Sequence, residues 1–246
     1  MKPGDICQLL DWDSAFFGIG IARLIPSRVA SSELHEALNW CECTGVKCLY
    51  FLADSDHAES VQLAEASGFN LVDIRITLDC DLGETSLVAP RRPTGFSIRT
   101  WALGDLARLR AIAGSIYRDT RFYHDPRFPK ELVDALYMTW IEKSCEGCAD
   151  EVLVLERDRQ PMGYVACHAS RTEVGRIGLI GVDQGVQGLG AGQYLVHSAL
   201  QWFANHGVGR VEVVTQGRNC EGQRLYQRCG FVTRKVQLWY HKWLRA

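Results

Sequence analysis

The stretch Ile177-Gly-Leu-Ile-Gly-Val-Asp-Gln-Gly-Val-Gln-Gly-Leu-Gly-Ala-Gly192 decides how the rest of the chain is read. An apolar run ends at Val182, a glycine-rich turn follows, and Leu195, Val196, Ala199, Leu200 and Phe203 then recur at helical spacing. Strand, glycine loop and helix start in that order make a site for an anion. The first-turn N–H groups have no intrahelical partner, and the aligned peptide dipoles leave partial positive charge beside them. Gly188, Gly190 and Gly192 carry no Cβ, so a phosphate can reach the main chain and positive φ is cheap. Two other phosphate motifs are not met: the G-x-G-x-x-G pattern with an acidic residue about 20 positions on, and the Gly-Lys-Ser/Thr ending of a triphosphate loop.

A second motif follows one helix and one strand later. After the apolar run Arg210-Val-Glu-Val-Val-Thr215 come Asn219, Gly222, Leu225-Tyr226 and Gly230-Phe231. With Gln187-x-x-Gly190-x-Gly192 upstream, this succession resembles the GNAT (GCN5-related) N-acetyltransferases. The resemblance implies acetyl-CoA as co-substrate, with its pantetheine arm against the main chain of Ile180, Gly181 and Val182. It implies a pyrophosphate on the amides of Gln187, Gly188, Leu189, Gly190, Ala191 and Gly192, with Asn219 nearby, and it places Tyr226 as a general acid by the CoA sulfur. Tyrosine at about 10 and a thiol at about 8.5 differ by roughly 2 kcal/mol, so a strengthening hydrogen bond suits Tyr226 better than full proton transfer. A core tyrosine packed on Gly230-Phe231 is the rival reading. No base announces itself. His168, near the end of a strand, could relay a proton through water or serve only as a hydrogen-bonded structural residue, and Glu173 and Glu212 have no better claim.

The bulk numbers exclude several classes. The 246 residues are 47% hydrophobic and 23% charged, ordinary for a globular chain of one large or two small domains. Net charge is −2 with no basic run, which argues against nucleic acid. No apolar run approaches about 20 residues and the N-terminus has no signal-like core, so a cytoplasmic location with no membrane partner is expected. The ten cysteines are scattered, and Cys145-Glu-Gly-Cys148 is a lone pair without a second at zinc spacing. No metal is expected.

The remaining chain reads as a polar entry and strand over Asp11–Ile25, a helix from Ser32 to Trp40, a strand Cys48–Leu52, a helix His57–Ala66 and a strand Leu71–Leu78. This succession repeats itself 162 positions later: Ala37-Leu38 falls on Ala199-Leu200, Trp40 on Trp202, Leu63 on Leu225 and Gly68-Phe69 on Gly230-Phe231. Such agreement at the punctuation points reads as an internal duplication. The cofactor residues are missing from the first copy, where Asn219 falls on His57 and Tyr226 on Ala64. We therefore expect a degenerate, structural half-domain over 1–85, a polar, proline-punctuated linker over 86–95, and the acetyltransferase domain over 96–246. The fold class is α/β (α+β), a mixed, mostly antiparallel sheet flanked by helices. Composition leaves open whether an exposed sheet edge pairs into a homodimer.

Between two expected helices lies Tyr117-Arg-Asp-Thr-Arg-Phe-Tyr-His-Asp-Pro-Arg-Phe-Pro129, where arginines mix with aromatics as they would around an anionic, ring-bearing ligand. A solvated loop is the alternative. Together with Phe16-Phe17-Gly18 and Tyr137-x-x-Trp140-Ile141, this loop resembles the TDP-fucosamine N-acetyltransferases. That resemblance implies a small-molecule partner, a nucleotide-linked 4-amino sugar, with Arg121 or Arg127 at its diphosphate, Phe122 or Tyr123 at its ring, and Asp125 in the same group. Other acceptors, a free small amine or a protein N-terminus, keep the same chemistry, and a CoA-binding regulatory protein with dead chemistry is the reading from another class, against which the intact Asn219 and Tyr226 argue.

Overall fold

The computed structural model describes residues 6–83, 92–169 and 174–244. Residues 86–91 of the expected linker and Glu173 lie outside them. In chain order the elements are β1 (Cys7–Leu9), α1 (Asp11–Phe17), β2 (Ile21–Leu24), α2 (Ser31–Thr44), β3 (Cys48–Asp54), α3 (Ala58–Ala66) and β4 (Asn70–Asp81). They continue with β5 (Phe96–Thr100), α4 (Leu106–Ile116), α5 (Lys130–Lys143), β6 (Glu151–Arg157), β7 (Gln160–His168) and β8 (Val174–Val182). Last come α6 (Ala191–Asn205), β9 (Arg210–Gln216), α7 (Cys220–Arg228) and β10 (Val232–Trp243).

All these strands join one mixed sheet in the order β1-β2-β3-β10-β4-β9-β8-β7-β6-β5. Pairing is antiparallel except at β2–β3 and β8–β9, which are parallel. The order of the middle strands does not follow the chain. β10 lies between β3 and β4, and β4 lies between β10 and β9, so the terminal strand of each expected unit pairs inside the other. The boundary expected over 86–95 is thus no edge of the sheet.

Each face is covered by its own apolar side chains. On one, Leu195, Val196, Ala199 and Phe203 of α6 bury against Val165, Val211 and Val213, while Leu34, Ala37 and Cys41 of α2 bury against Leu49 and Phe51. On the other, Leu109 and Ile112 of α4, Leu136 and Ile141 of α5 and Phe17 of α1 meet Tyr50, Val154 and Tyr164. Strand β3 is buried on both faces, which is why Cys48-Leu-Tyr-Phe-Leu-Ala-Asp54 shows no polar alternation.

Two local readings change. Asp11–Phe17 is a helix rather than a plain entry to a strand: it buries Phe17 and stops at Gly18, whose φ of 69° is left-handed. The three-residue β1 was not foreseen, and it caps the sheet edge by pairing with β2.

Candidate active site

β8 and β9 run side by side from Val174–Arg210 to Ile177–Val213, and their pairing ends there. At the same level the ladder with β7 shifts, so that Ala166 faces Leu179 and Cys167 faces Ile177, leaving Gly178 as the extra residue of a bulge. Beyond that point the two strands fork. The carbonyls of Ile180 and Val182 accept from side chains instead: Tyr117 Oη donates to Ile180 O at 2.7 Å and Gln187 Nε2 to Val182 O at 3.2 Å.

The glycine loop closes over the mouth of the fork. Asp183 holds it, accepting from Gly185 N at 2.9 Å and from Arg108 Nη2 of α4 at 2.7 Å. Gly188 at φ 77° and Gly190 at φ 80° are left-handed, which a side chain would oppose, and Gly190 is the N-cap of α6. The first intrahelical bond runs from Tyr194 N to Gly190 O, so the amides of Ala191, Gly192 and Gln193 have no helical partner. Gly192 has a packing reason as well, because a Cβ there would press on Leu225 of α7 at 3.2 Å.

A cavity of about 540 Å³ opens between the loop and the fork. Ile180, Gly181, Val182, Gln187, Gly188, Gly190, Ala191, Gly192, Asn219 and Tyr226 all line it. Leu189 does not; its side chain turns outward and is 52% exposed. Asn219 is the N-cap of α7, with Oδ1 accepting from Gly222 N at 2.9 Å and Nδ2 donating to Thr215 Oγ1 at 3.0 Å. A Cβ at Gly222 would collide with that amide, which explains a small residue three positions after the asparagine.

Tyr226 has its ring packed near Phe231, and its hydroxyl bonds to no described residue. Burial pushes its pKa well above 10, so the phenol stays protonated and can only donate at neutral pH. Tyr117, not foreseen as a site residue, lines the same cavity as Tyr226 and stacks on Tyr137 at 4.2 Å. The only sequence signal for it was an aromatic at the end of α4.

His168 lies on the far side of β8 from α6. A side chain at Gly178 would strike its imidazole, so the ring covers the bulge where the strands part. Burial first, and then the charge of Arg176, lower its pKa against the opposing pull of Asp150, which leaves it neutral at pH 7. It does not line the cavity described above. Glu212 lies on the next strand, paired with Arg176 across the parallel register.

The 117–129 loop divides into two groups. Phe122 is 4% exposed, packed against Phe17 and Phe128, so it is a core residue. Asp125 is also buried, and its Oδ2 accepts from His241 Nδ1 and Trp243 Nε1, each at 2.8 Å. Burial opposes the charge on Asp125, yet these bonds outweigh it and hold its pKa below the usual value. Burial drives His241 down to about 4, so a neutral imidazole donates to a carboxylate and ties the loop to β10. Arg127 lies over the Trp243 ring, and Tyr123 bonds to Arg118 and Asp134. Neither they nor Phe122 and Asp125 line the cofactor-sized cavity, whereas Arg118, Asp119 and Thr120 of the same loop do.

Among the described residues no three His, Cys, Asp or Glu side chains gather as metal ligands would, and no helix is long and apolar enough to cross a membrane.

Residues 113–231 match the acetyltransferase (GNAT) family. The chain is 26% identical to the dTDP-fucosamine acetyltransferase of Escherichia coli O6:H1 over 95% of its own length and 96% of the relative's. It is 29% identical to the mycothiol acetyltransferase of Beutenbergia cavernae over 78% of this chain and 66% of that one. The fold matches a GCN5-related N-acetyltransferase from Sphaerobacter thermophilus with a TM-score of 0.70 at 17% identity, covering 98% of this chain and 76% of the other.

Proposed function

Because the chain carries a GNAT acetyltransferase domain and is an acyltransferase, we propose that it transfers the acetyl group of acetyl-CoA to the 4-amino group of a dTDP-4-amino-4,6-dideoxyhexose, a precursor of surface glycans. The observation that carries the transfer is one cavity lined by the unpaired amides at the head of α6, the forked strand β8 and the unbonded Tyr226 hydroxyl. The acceptor reading draws on similarity to the dTDP-fucosamine enzyme across nearly both whole chains.

The residues suit the carrier. Amides of Gln187 to Gly192 receive a diphosphate, and left-handed Gly188 and Gly190 keep that surface bare. The gap after Ile177–Val213 takes the pantetheine arm, with Ile180, Gly181 and Val182 alongside and Asn219 holding α7 in place. In the reaction the amine nitrogen bonds to the thioester carbon, the C–S bond breaks, and the amine loses a proton. Tyr226 donates its hydrogen bond to the sulfur as negative charge grows there. His168, neutral and lying over Gly178, takes the amine proton through water. Arg121 and Arg127, with Tyr123, serve the nucleotide end, while Phe122 and Asp125 hold the loop that carries them.

The first unit, 1–85, is a duplicated scaffold joined through 86–95 to the domain at 96–246. Equal lengths support this: 7 residues in both β3 and β9, 9 in both α3 and α7, 12 in both β4 and β10. The enzyme works in the cytoplasm, and a homodimer would form through the outer strands β1 and β5.

The test is a panel of acceptors assayed by release of free CoA thiol. Acetylation of the dTDP-4-amino sugar should exceed that of simple amines and peptides. The mycothiol acetyltransferase similarity favours a different acceptor, and good turnover of a non-nucleotide amine with none of the nucleotide sugar would establish that second reading.

A further inference from the structure

Arg75 lies on β4, in the part of the chain that carries no glycine loop, yet the strand order sets it beside a residue that lines the cavity. Across the β4–β9 ladder it faces Gln216, which lines the cavity, and directly opposed residues of an antiparallel pair project from the same face. Across β10 it faces Gln237. Its Nε is buried without a partner, and its outer nitrogens bond to no described residue.

Arg121 shows the same deficit from above. Its guanidinium lies 4.1 Å from the Trp239 ring, 4.3 Å from Tyr50 and 4.5 Å from Phe122, and its Nη1 is buried and unbonded. Three aromatic faces position the fork but supply no acceptor for its N–H groups. Trp239 pairs with Asp73, two residues before Arg75 on the same face of β4, so both guanidinium groups stand over one strip of the sheet. Asp13 and Asp73 act on the Arg121 guanidinium, and Glu212 on that of Arg75, only through space, and no carboxylate among the described residues bonds to either guanidinium. Asp73 pairs with Arg218 at 3.4 Å, and burial raises its pKa to about 6. Burial together with the charges of Arg176 and Arg121 weakens the hold of Arg75 on its proton, with Glu212 opposing.

Two guanidinium groups with buried, unbonded N–H donors over one strip of the sheet are an unmet demand for an acceptor with several oxygens. A phosphate meets it best, since a planar fork pairs with two of its oxygens at once. We infer that Arg75 and Arg121 together bind the phosphate or diphosphate ester of the acceptor substrate, on the face of the sheet opposite α6. This rests on the acetyltransferase reading for the identity of the ligand, and it makes the scaffold unit a contributor to acceptor recognition. It adds Arg75, which no local sequence pattern marks.

The experiment is calorimetric titration of the full chain, saturated with CoA so that the glycine loop is filled, with inorganic pyrophosphate and with thymidine diphosphate. Binding of both is expected, weakening with added salt, and Arg75→Gln should raise each Kd by about tenfold or more. Arg75→Lys, which keeps the charge, should recover part of the loss, and Arg121→Gln should match Arg75→Gln. Acetyl-CoA affinity and Tm should stay at wild-type values for Arg75→Gln; Arg121→Gln leaves an aromatic cage partly empty, so Arg75 carries the test if that variant does not fold. Unchanged Kd values in Arg75→Gln, or no binding by the wild type, would overturn the inference. Arginine-dependent binding without acetylation of any nucleotide amino sugar would leave the anion site standing and sink the acceptor named above.

Discussion

The connections β2 to α2 and β8 to α6 join corresponding elements of the two units, and they differ in one respect that separates scaffold from catalyst. Both strands enter a parallel pair, with Ile21 against Cys48 and Val174 against Arg210. From those partners to the following helix the first connection spans Ile21 to Ser31 and the second Val174 to Ala191. In the short version Arg28 folds back on Asp54 and Asp56, and Ala30 in extended backbone opens the helix, its N–H donating to Glu33 Oε2 at 2.8 Å. In the long version a bulge, a fork and two left-handed glycines precede the helix, and no side chain caps it. Glu33 puts a negative charge in the first turn of α2, where an anion would have to sit; the first turn of α6 carries no acidic residue and stays open to one.

This contrast can be broken most severely at Gly190. Gly190→Val should raise the acetyl-CoA Kd by more than about 100-fold, because a β-branched residue resists φ of 80° and covers the amides, while Ala30→Val should leave that Kd unchanged in the same titration. Next, Tyr226→Phe should lower kcat about 100-fold with acetyl-CoA affinity intact, whereas substituting the corresponding Ala64 should affect stability only; steady-state kinetics beside thermal melts separate the two. The third test is pH. His168 has its pKa lowered, so it remains neutral and active from its folded pKa upward and is protonated as pH falls below it. The acid limb of kcat/KM should therefore lie below about 6.5 and vanish in His168→Gln, and since burial holds Tyr226 protonated, no alkaline limb from it should arise below about 10. The smallest effect concerns the caps. Asn219→Ala should cost about 1 kcal/mol in urea unfolding, and His57→Ala less, since its Nδ1 accepts from Ser60 N at a longer 3.3 Å.

What could be read from sequence was whatever local chemistry dictates. Gly188 and Gly190 signal left-handed backbone, Asn219 with Gly222 signals a cap, and Lys130–Lys143 shows its apolar period, so these elements stand where the residues place them. The 117–129 loop was harder because composition does not say which way a side chain faces. Phe122, Phe128 and Asp125 turn inward to Phe17, His241 and Trp243, partners more than a hundred residues away along the chain. Arg75 was invisible for the same reason: only the placement of β4 beside β9 gives it a role, and nothing within ten residues of it encodes that neighbour. The duplication was legible as spacing, but the crossing of β4 and β10 was not, because a shift that aligns two units says nothing about which sheet partner each strand takes.

That crossing has a consequence for how the protein comes into being. β10 is the last strand among the described residues, and it must enter between two strands made long before it, with Gln237 bonding to Asp54 across 183 residues. During synthesis β3 and β4 therefore wait with unpaired edges, exposed to mispairing, until residues 232–243 leave the ribosome. A nascent chain stopped just short of residue 232 would possess every group that meets the thioester and still lack the strand that lets the sheet close.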